Sequence, residues 1–572
     1  MRIRRVAKVG APLAALALAA SACGGGGEDN GDNGESVADI PAIDINKTDR
    51  SELQDGGTFH WGINEYPTQY QVNHTQGNQA NAVRVANAVM PQAHGFDEEG
   101  QAHPDEDFVL SSEISDDGST LTFELNPDAT WSTGDPITWE DYAAHVETVG
   151  GHRDNSDKFD LGDTTGYERI DDVEKGEDKF EVIFHFDTPF AEWPRLFEVL
   201  YPKEYMEDPK KFNEGYQKDF PVTAGPFGDV EFDDTAETIT VNRDEDWWGD
   251  PAKLDSIVYD SYENDALAGV MNNGEIDGFY LGYDAAGYET LKDADGVRMT
   301  HAANNGFRHM TFNGGEGRIL ADQDVRNAVV HAINRQQMAK ATLDGVNWPT
   351  DPTANRLIVS TQTGFQDNSE GYGEHAPEKA AEMLDEAGWT RESEDALRTK
   401  DGEKLQLQWV VPGGLQNASD EAEIAKAQLG EIGVGVQIEP VPNNSYFTEY
   451  VIPGNYDATT FAYTSTNPYG GDLAENFVGP VGEDENGEPN WGNNLHNFST
   501  DEINAAFDEL STLTDPEEYA AKANEIDRML WEQSMAVPLF QRPGQYAVAP
   551  EVANWGANGL ASYSYEDFGF TK

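Results

Sequence analysis

Asp and Glu number 106 against 37 Lys and Arg, a formal charge of −69 on 572 residues, so any fold must spread this charge over solvated surface and still bury a core. A field of that sign repels nucleic acid and anionic lipid headgroups, which excludes both as partners. It also repels itself, weakening the compact state in dilute buffer. At 1 M salt the screening length falls to about 3 Å, so a salt-tolerant or halophilic source is expected. Clusters such as Asp105-Glu106-Asp107 and Asp233-Asp234 read as solvated faces. A single cysteine leaves no intramolecular disulfide, and the core must supply the stability. The length suffices for two or more domains.

Arg2, Arg4, Arg5 and Lys8 precede an apolar run from Val9 to Ala20, then Ser21-Ala22 and the lone Cys23. This is the three-part layout of an export signal over residues 1–22, and its apolar run is shorter than the about 20 residues that cross a bilayer. Leu18-Ala19-Ala20-Ser21-Ala22-Cys23 resembles a bacterial lipoprotein box, with Ala20 where such boxes usually carry Leu. The resemblance implies that Cys23 becomes the first residue and its sulfur carries a diacylglycerol, a membrane attachment; an ordinary signal cut nearby with a free thiol is the alternative. Gly24 to Gly34 is a Gly, Asp and Asn tract with nothing to bury, and residues 23–54 are expected to form a flexible tether.

Gly57–Asn64 alternates large with small or polar residues and reads as a first strand. Leu121, Phe123 and Leu125 alternate ahead of the turn residues Asn126-Pro127-Asp128, and Phe180, Val182, Phe184 and Phe186 mark another half-buried strand. Beyond about residue 300 helices enter. Val325, Ala328, Val329, Ala332 and Ile333 fall at helical spacing, with Asp322 or Asp324 as cap. A helix over 377–387 starts on Pro377 and stops at Gly388-Trp389. Leu405 to Val411, residues 419–432 and Val434 to Ile438 spell strand, helix, strand, a βαβ unit with parallel strands. Asp515-Pro516-Glu517-Glu518 opens a last helix with Tyr519, Ala523, Ile526 and Leu530 on one face. The chain is mixed α/β.

No Gly-x-Ser-x-Gly elbow, phosphate-binding Gly-x-x-x-x-Gly-Lys or His-Glu-x-x-His occurs, and the 12 histidines form no zinc arrangement. The spacing from Gly482 to Gly487 lacks the bidentate Glu of a calcium loop. No catalytic residue, metal or cofactor is assigned, and the weight shifts toward binding. Aromatic residues beside turns, namely Trp61, Tyr66 and Tyr70 after the first strand and Tyr463 and Tyr469 around Asn467-Pro468, suit a ligand crevice at strand ends, with core packing the alternative for each.

From about residue 55 onward the order of motifs resembles solute-binding family 5, the large-ligand substrate-binding proteins of ATP-driven importers that include oligopeptide, dipeptide and nickel binders. Trp131-Ser132-Thr133-Gly134-Asp135-Pro136-Ile137-Thr138 through Asp141 is similar to its signature, with Thr133 in place of Asp. Thr223-Ala224-Gly225-Pro226-Phe227, Asn242-Arg243 with Trp247-Trp248, and Gly274-Glu275-Ile276-Asp277 follow in the family's order. So do Val325-Arg326-Asn327-Ala328 through Arg335, Pro377 through Trp389, and Val537-Pro538-Leu539-Phe540.

The resemblance implies a type II periplasmic-binding-protein-like fold. Two lobes would be hinged by segments crossing near 303–312 and 535–542, with lobe I over 55–305, an inserted subdomain at about 77–220, lobe II over 306–538 and a return to lobe I over 539–572. Trp131 and Asp141 would build a turn and cap a helix. Tyr66, Gln69, Tyr70, Tyr463, Ser465, Thr466, Asn467 and Asp472 are the implied ligand contacts. Peptide binders of the family commonly place an Asp near Thr466 to meet the amino terminus; here Asp472 is the possible substitute. The expectation is a monomeric lipoprotein outside the cytoplasmic membrane, delivering a peptide or other large solute to an ABC permease and ATPase complex. A secreted hydrolase, an adhesion or signalling module, and a receptor for a non-peptide solute remain alternatives.

Overall fold

The computed structural model describes residues 39–464, 467–483, 487 and 489–572; the expected signal, Cys23, Ser465 and Thr466 lie outside them. Before residue 281 the main strands are β1 (Thr58–Ile63), β2 (Val109–Ile114), β3 (Thr120–Leu125), β4 (Ile170–Lys175), β5 (Glu181–Phe186), β6 (Phe227–Asp233), β7 (Thr238–Arg243), β8 (Ser256–Ser261) and β9 (Gly278–Tyr280). After it come β10 (Arg298–Phe312), β11 (Gln406–Pro412), β12 (Gly435–Val441), β13 (Ala458–Thr464) and β14 (Val537–Val548). Ten of them form one sheet in the order β12-β11-β13-β10-β14-β9-β1-β8-β7-β6.

The two longest strands, β10 and β14, pair antiparallel in the middle of this sheet and overlap the positions expected for the crossings. Early residues fill one half of the sheet and later residues the other. The first half's core gathers Phe59, Trp61, Tyr259 and Phe279 with the C-terminal Trp555 and Phe568. The second half holds two clusters, one around Trp409, Leu429 and Phe540, the other around Tyr463, Phe477 and Phe507.

A separate antiparallel sheet, β2-β3-β5-β4, hangs from the first half. Burial alternates along β5, as period-two patterning requires. Its inner face packs on α1 (Trp139–Val149), with Phe123 and Phe184 ring centroids 5.1 Å apart and Tyr142 and Phe197 4.9 Å apart. Asp141 closes a capping box: one oxygen accepts from Thr138 N at 2.9 Å, and the other accepts from Lys203 N at 3.0 Å. Trp131 sits in the preceding turn, which Gly134 completes with φ +85.

In the second half the helical spacing read over 322–335 forms one helix, and a second helix that the spacing did not announce follows it directly. Asp322 caps α2 (Gln323–Ala332), and Asn334 interrupts it to cap α3 (Arg335–Thr342). The next helix, α4 (Pro377–Glu386), ends through left-handed Gly388 with Trp389 N donating to Leu384 O at 2.8 Å. β11, α5 (Gln416–Glu431) and β12 make the βαβ unit, with Trp409 opposite Ile438 in a parallel ladder. Helices α6 (Asp501–Leu510) and α7 (Pro516–Glu532) pack on the third cluster; Asp515 caps α7 through the amides of Glu517 and Glu518.

Two expectations are corrected. Residues 39–54, assigned to the tether, lie against the body: Ile40 and Leu53 are buried, Asp44 and Leu53 bridge to Ala557 and Thr571, and Asn46 Nδ2 donates to Val552 O at 3.1 Å. Apolar anchors amid polar residues suffice to dock such a segment. Asp105 is not a solvated face. Burial first, then the charges of Glu566 and Asp107, push its carboxyl up to about 7.

Candidate functional site

A cavity of about 1220 Å³ opens between the first half with its satellite sheet and the third core cluster of the second half. The irregularity in the β10–β14 ladder explains its floor. Pairing breaks between Ala303 and Phe307, so Asn304 and Asn305 leave the ladder and line the cavity. Gly544 permits the close approach of the crossing strands, since a Cβ there would stand 2.5 Å from Ala302 O. Asn305 then donates to the carbonyl of Asn467 across the floor.

The wall from the first half comes from Phe190–Tyr201, a run of apolar residues broken at every third position by Glu192, Arg195 and Glu198. The opposite wall comes from β13 and the turn Gly470–Asn476. Arg195 binds Asp163 (3.2 Å) and Glu192 (3.4 Å) on its own side and Asp472 on the other. Tyr519 OH, at the start of α7, donates to Glu192 Oε1 at 3.1 Å and accepts from Gly471 N at 2.8 Å. Arg169 reaches across to Ser511, donating to its carbonyl at 3.2 Å, and Ala191 N donates to the same carbonyl at 2.8 Å. Both walls are thereby joined by polar contacts.

Electrostatics follow from enclosure. Burial pushes the Glu192 carboxyl up to about 7, against the opposing pull of Arg195. Burial alone would lower the Arg195 guanidinium, but Glu192, Asp472 and Asp163 together raise it.

Of the implied contacts, Tyr463, Asn467 and Asp472 line the cavity. Tyr463 stacks on His309 at 4.2 Å, and Asp472 is committed to Arg195. Tyr66, Gln69 and Tyr70 are placed elsewhere. Tyr66 OH donates to Asp234 (3.0 Å), Gln69 Nε2 to Asn213 O (2.9 Å), and buried Tyr70 OH to Pro67 O (2.8 Å) amid Phe220 and Phe232. Their segment tucks beneath residues 201–234, and the chain reaches the cavity only from Val72 onward. The site residues not foreseen are Asn304, Asn305, Arg169, Glu192, Arg195 and Glu198. The signal for the last three was the spacing of charges inside an apolar run.

Residues 104–484 match the bacterial extracellular solute-binding proteins, family 5 Middle. The chain belongs to this family. Among its family 5 relatives are the oligopeptide-binding proteins OppA of Mycobacterium bovis and Mycobacterium tuberculosis, 32% identical over 541 residues that cover 92% of this chain and 87% of theirs. The solved periplasmic EDTA-binding protein EppA superposes with a TM-score of 0.79 at 22% identity, covering 92% of this chain and 98% of its own. The oligopeptide-binding protein AppA from Bacillus subtilis, solved with a nonapeptide, gives 0.68 at 18%, covering 91% and 100%. The fold is thus the type II periplasmic-binding-protein architecture of family 5, whose members are binding proteins of ABC importers. Among the described residues no helix is long and apolar enough to cross a membrane, and no group of three or more His, Cys, Asp or Glu could hold a metal.

Proposed function

We propose that this chain is the receptor of an ABC importer for peptide-like solutes, enclosing its ligand between two lobes that close about β10 and β14. The observation that carries this reading is the cavity between separate cores, spanned by the Arg195–Asp472 pair. Its volume exceeds the ~300–1,000 Å³ of ordinary small-molecule pockets and suits an extended oligomer. Cross-wall contacts made by Arg195, Glu192 and Arg169 form only when the lobes meet, so they favour the closed state. The names of the mycobacterial relatives support peptide as the ligand class. A lipid on Cys23 would hold a monomeric receptor at the outer face of the membrane beside its permease and ATPase, and the excess acid suits a saline exterior.

Adding a mixture of short peptides to the purified chain is expected to shrink its X-ray scattering radius and raise its melting temperature. No response in either would overturn the peptide assignment. C23S should move the protein from the membrane to the medium with binding intact.

A further inference from the structure

Glu198 and Glu475, on facing walls, are carboxylates of the cavity that the cross-wall network does not use, and Glu198 is the one set among buried residues of the first wall. Its two neighbours in the three-residue spacing, Glu192 and Arg195, bind each other and the opposite wall. Among the described residues no hydrogen bond or ion pair reaches the Glu198 carboxylate. Solvent meets this side chain through the cavity it lines.

The backbone beneath it is unusual. Phe197, fully buried, has φ +61, a left-handed conformation that a bulky residue rarely adopts, and its amide is held by Tyr167 OH at 2.7 Å. Such strain persists where the surroundings enforce it, and here it turns residue 198 out of the apolar run and into the cavity. Tyr167 and Tyr565 line the cavity beside it. Burial above all, and the charge of Glu198 in part, raise the pKa of both phenols. Among the described residues no hydrogen bond joins either hydroxyl to Glu198; Tyr167 OH accepts from Phe197 N, and Tyr565 OH donates to Arg84 O at 2.9 Å. Both rings are nearly buried and bound the cavity beside a carboxylate that no described side chain pairs directly. The low-dielectric surroundings of the cavity raise the Glu198 pKa and Arg195 opposes this, and a cation brought in by a ligand would act in the same direction as Arg195.

We propose that Glu198 receives a cationic group of the bound solute, flanked by Tyr167 and Tyr565, so that the cleft selects solutes carrying an ammonium or guanidinium group. This rests on the reading of the cavity as the ligand site. A carboxylate supplies the charge-assisted bond to such a group. Asp163, Glu192 and Asp472 all share Arg195, which leaves Glu475 on the opposite wall as the competing acceptor.

The test is calorimetric titration of wild type, E198Q and E475Q with trialanine and with N-acetyl-trialanine, melting temperatures establishing that each variant is folded. Wild type should prefer trialanine, and E198Q should weaken trialanine about tenfold or more while leaving the acetylated peptide within about twofold. E475Q, on the opposite wall, should lose less. Equal affinity of E198Q and wild type for trialanine overturns the assignment, as do equal losses in both variants, which would credit the overall negative field. If neither peptide binds wild type, the peptide reading fails, and spermidine, choline and arginine replace it as probes. Loss of their binding in E198Q still supports the assignment; no binding by wild type, or binding unchanged in E198Q, overturns it.

Discussion

Arg356, inside the second half, and Arg195, at the cleft, are both held by carboxylates, yet in opposite ways. Arg356 and Asp527 have fully buried side chains 2.8 Å apart. The guanidinium also donates to Met535 O and Ala536 O and lies 4.3 Å from the Trp531 ring, while Asn368 binds the other carboxylate oxygen at 3.1 Å. All of these partners belong to one half, so the pair persists whatever the lobes do, even with Arg356 Nη2 buried and without a hydrogen-bond partner among the described residues. Arg195 is shared among three carboxylates from two walls, and part of its coordination exists only while those walls touch. The first arrangement specifies packing, and the second couples charge to lobe position.

The largest expected effect tests the packing side. R356A leaves Asp527 buried and unpaired and should cost about 3–5 kcal/mol, seen as a fall in the denaturation midpoint that ligand does not rescue. A loss under about 1 kcal/mol would erase the contrast with the cleft.

Next is the pH response of the cleft. Glu192 is raised from an ordinary 4.5 to about 7, so between those values the folded chain holds more protons than the unfolded one. The stability this contributes is present in full below about 4.5 and is lost as pH rises through about 7. E192Q stays neutral, so its stability relative to wild type should grow by up to about 1.4 kcal/mol per pH unit across that window. Asp105, also raised to about 7, is present in both proteins and cancels in the difference. A difference independent of pH would mean that the enclosure of Glu192 does not control its proton.

The smallest change in stability is expected for R195A, about 1–2 kcal/mol, because Asp163 and Asp472 keep access to solvent through the cleft and buried Glu192 can take up a proton once its cation is gone. Its scattering radius without ligand should nevertheless rise as the open form gains population, whereas R356A should leave the radius of the folded protein unchanged. An R195A variant with wild-type radius would show that the pair is not a latch.

Local order was readable where one periodicity governs a segment. β3 and β5, α4 with its Gly388 stop, the βαβ unit and the Asp515 cap follow from patterns a few residues long, because side-chain spacing and capping act over that distance. Helix α3 was not read, since the apolar spacing stops at Ile333 and only the Asn334 cap marks the new start. Within the site, Tyr463, Asn467 and Asp472 were reachable from motif order. Tyr66, Gln69 and Tyr70 were not excluded, because an aromatic after a strand reads the same whether it faces a cleft or, like Tyr70, the rings of Phe220 and Phe232.

By itself the sequence determined the acid excess, the mixed α/β elements and the family resemblance, all properties of composition, short-range period and motif order. Tertiary structure alone decided that Glu192, Arg195 and Glu198 face a cavity, that two of them are spent joining its walls, and that a bulged crossing puts Asn304 and Asn305 on its floor. Those outcomes depend on contacts between residues hundreds of positions apart, such as Arg195 with Asp472, and on enclosure that sets the cost of each charge. No local pattern encodes which partner arrives.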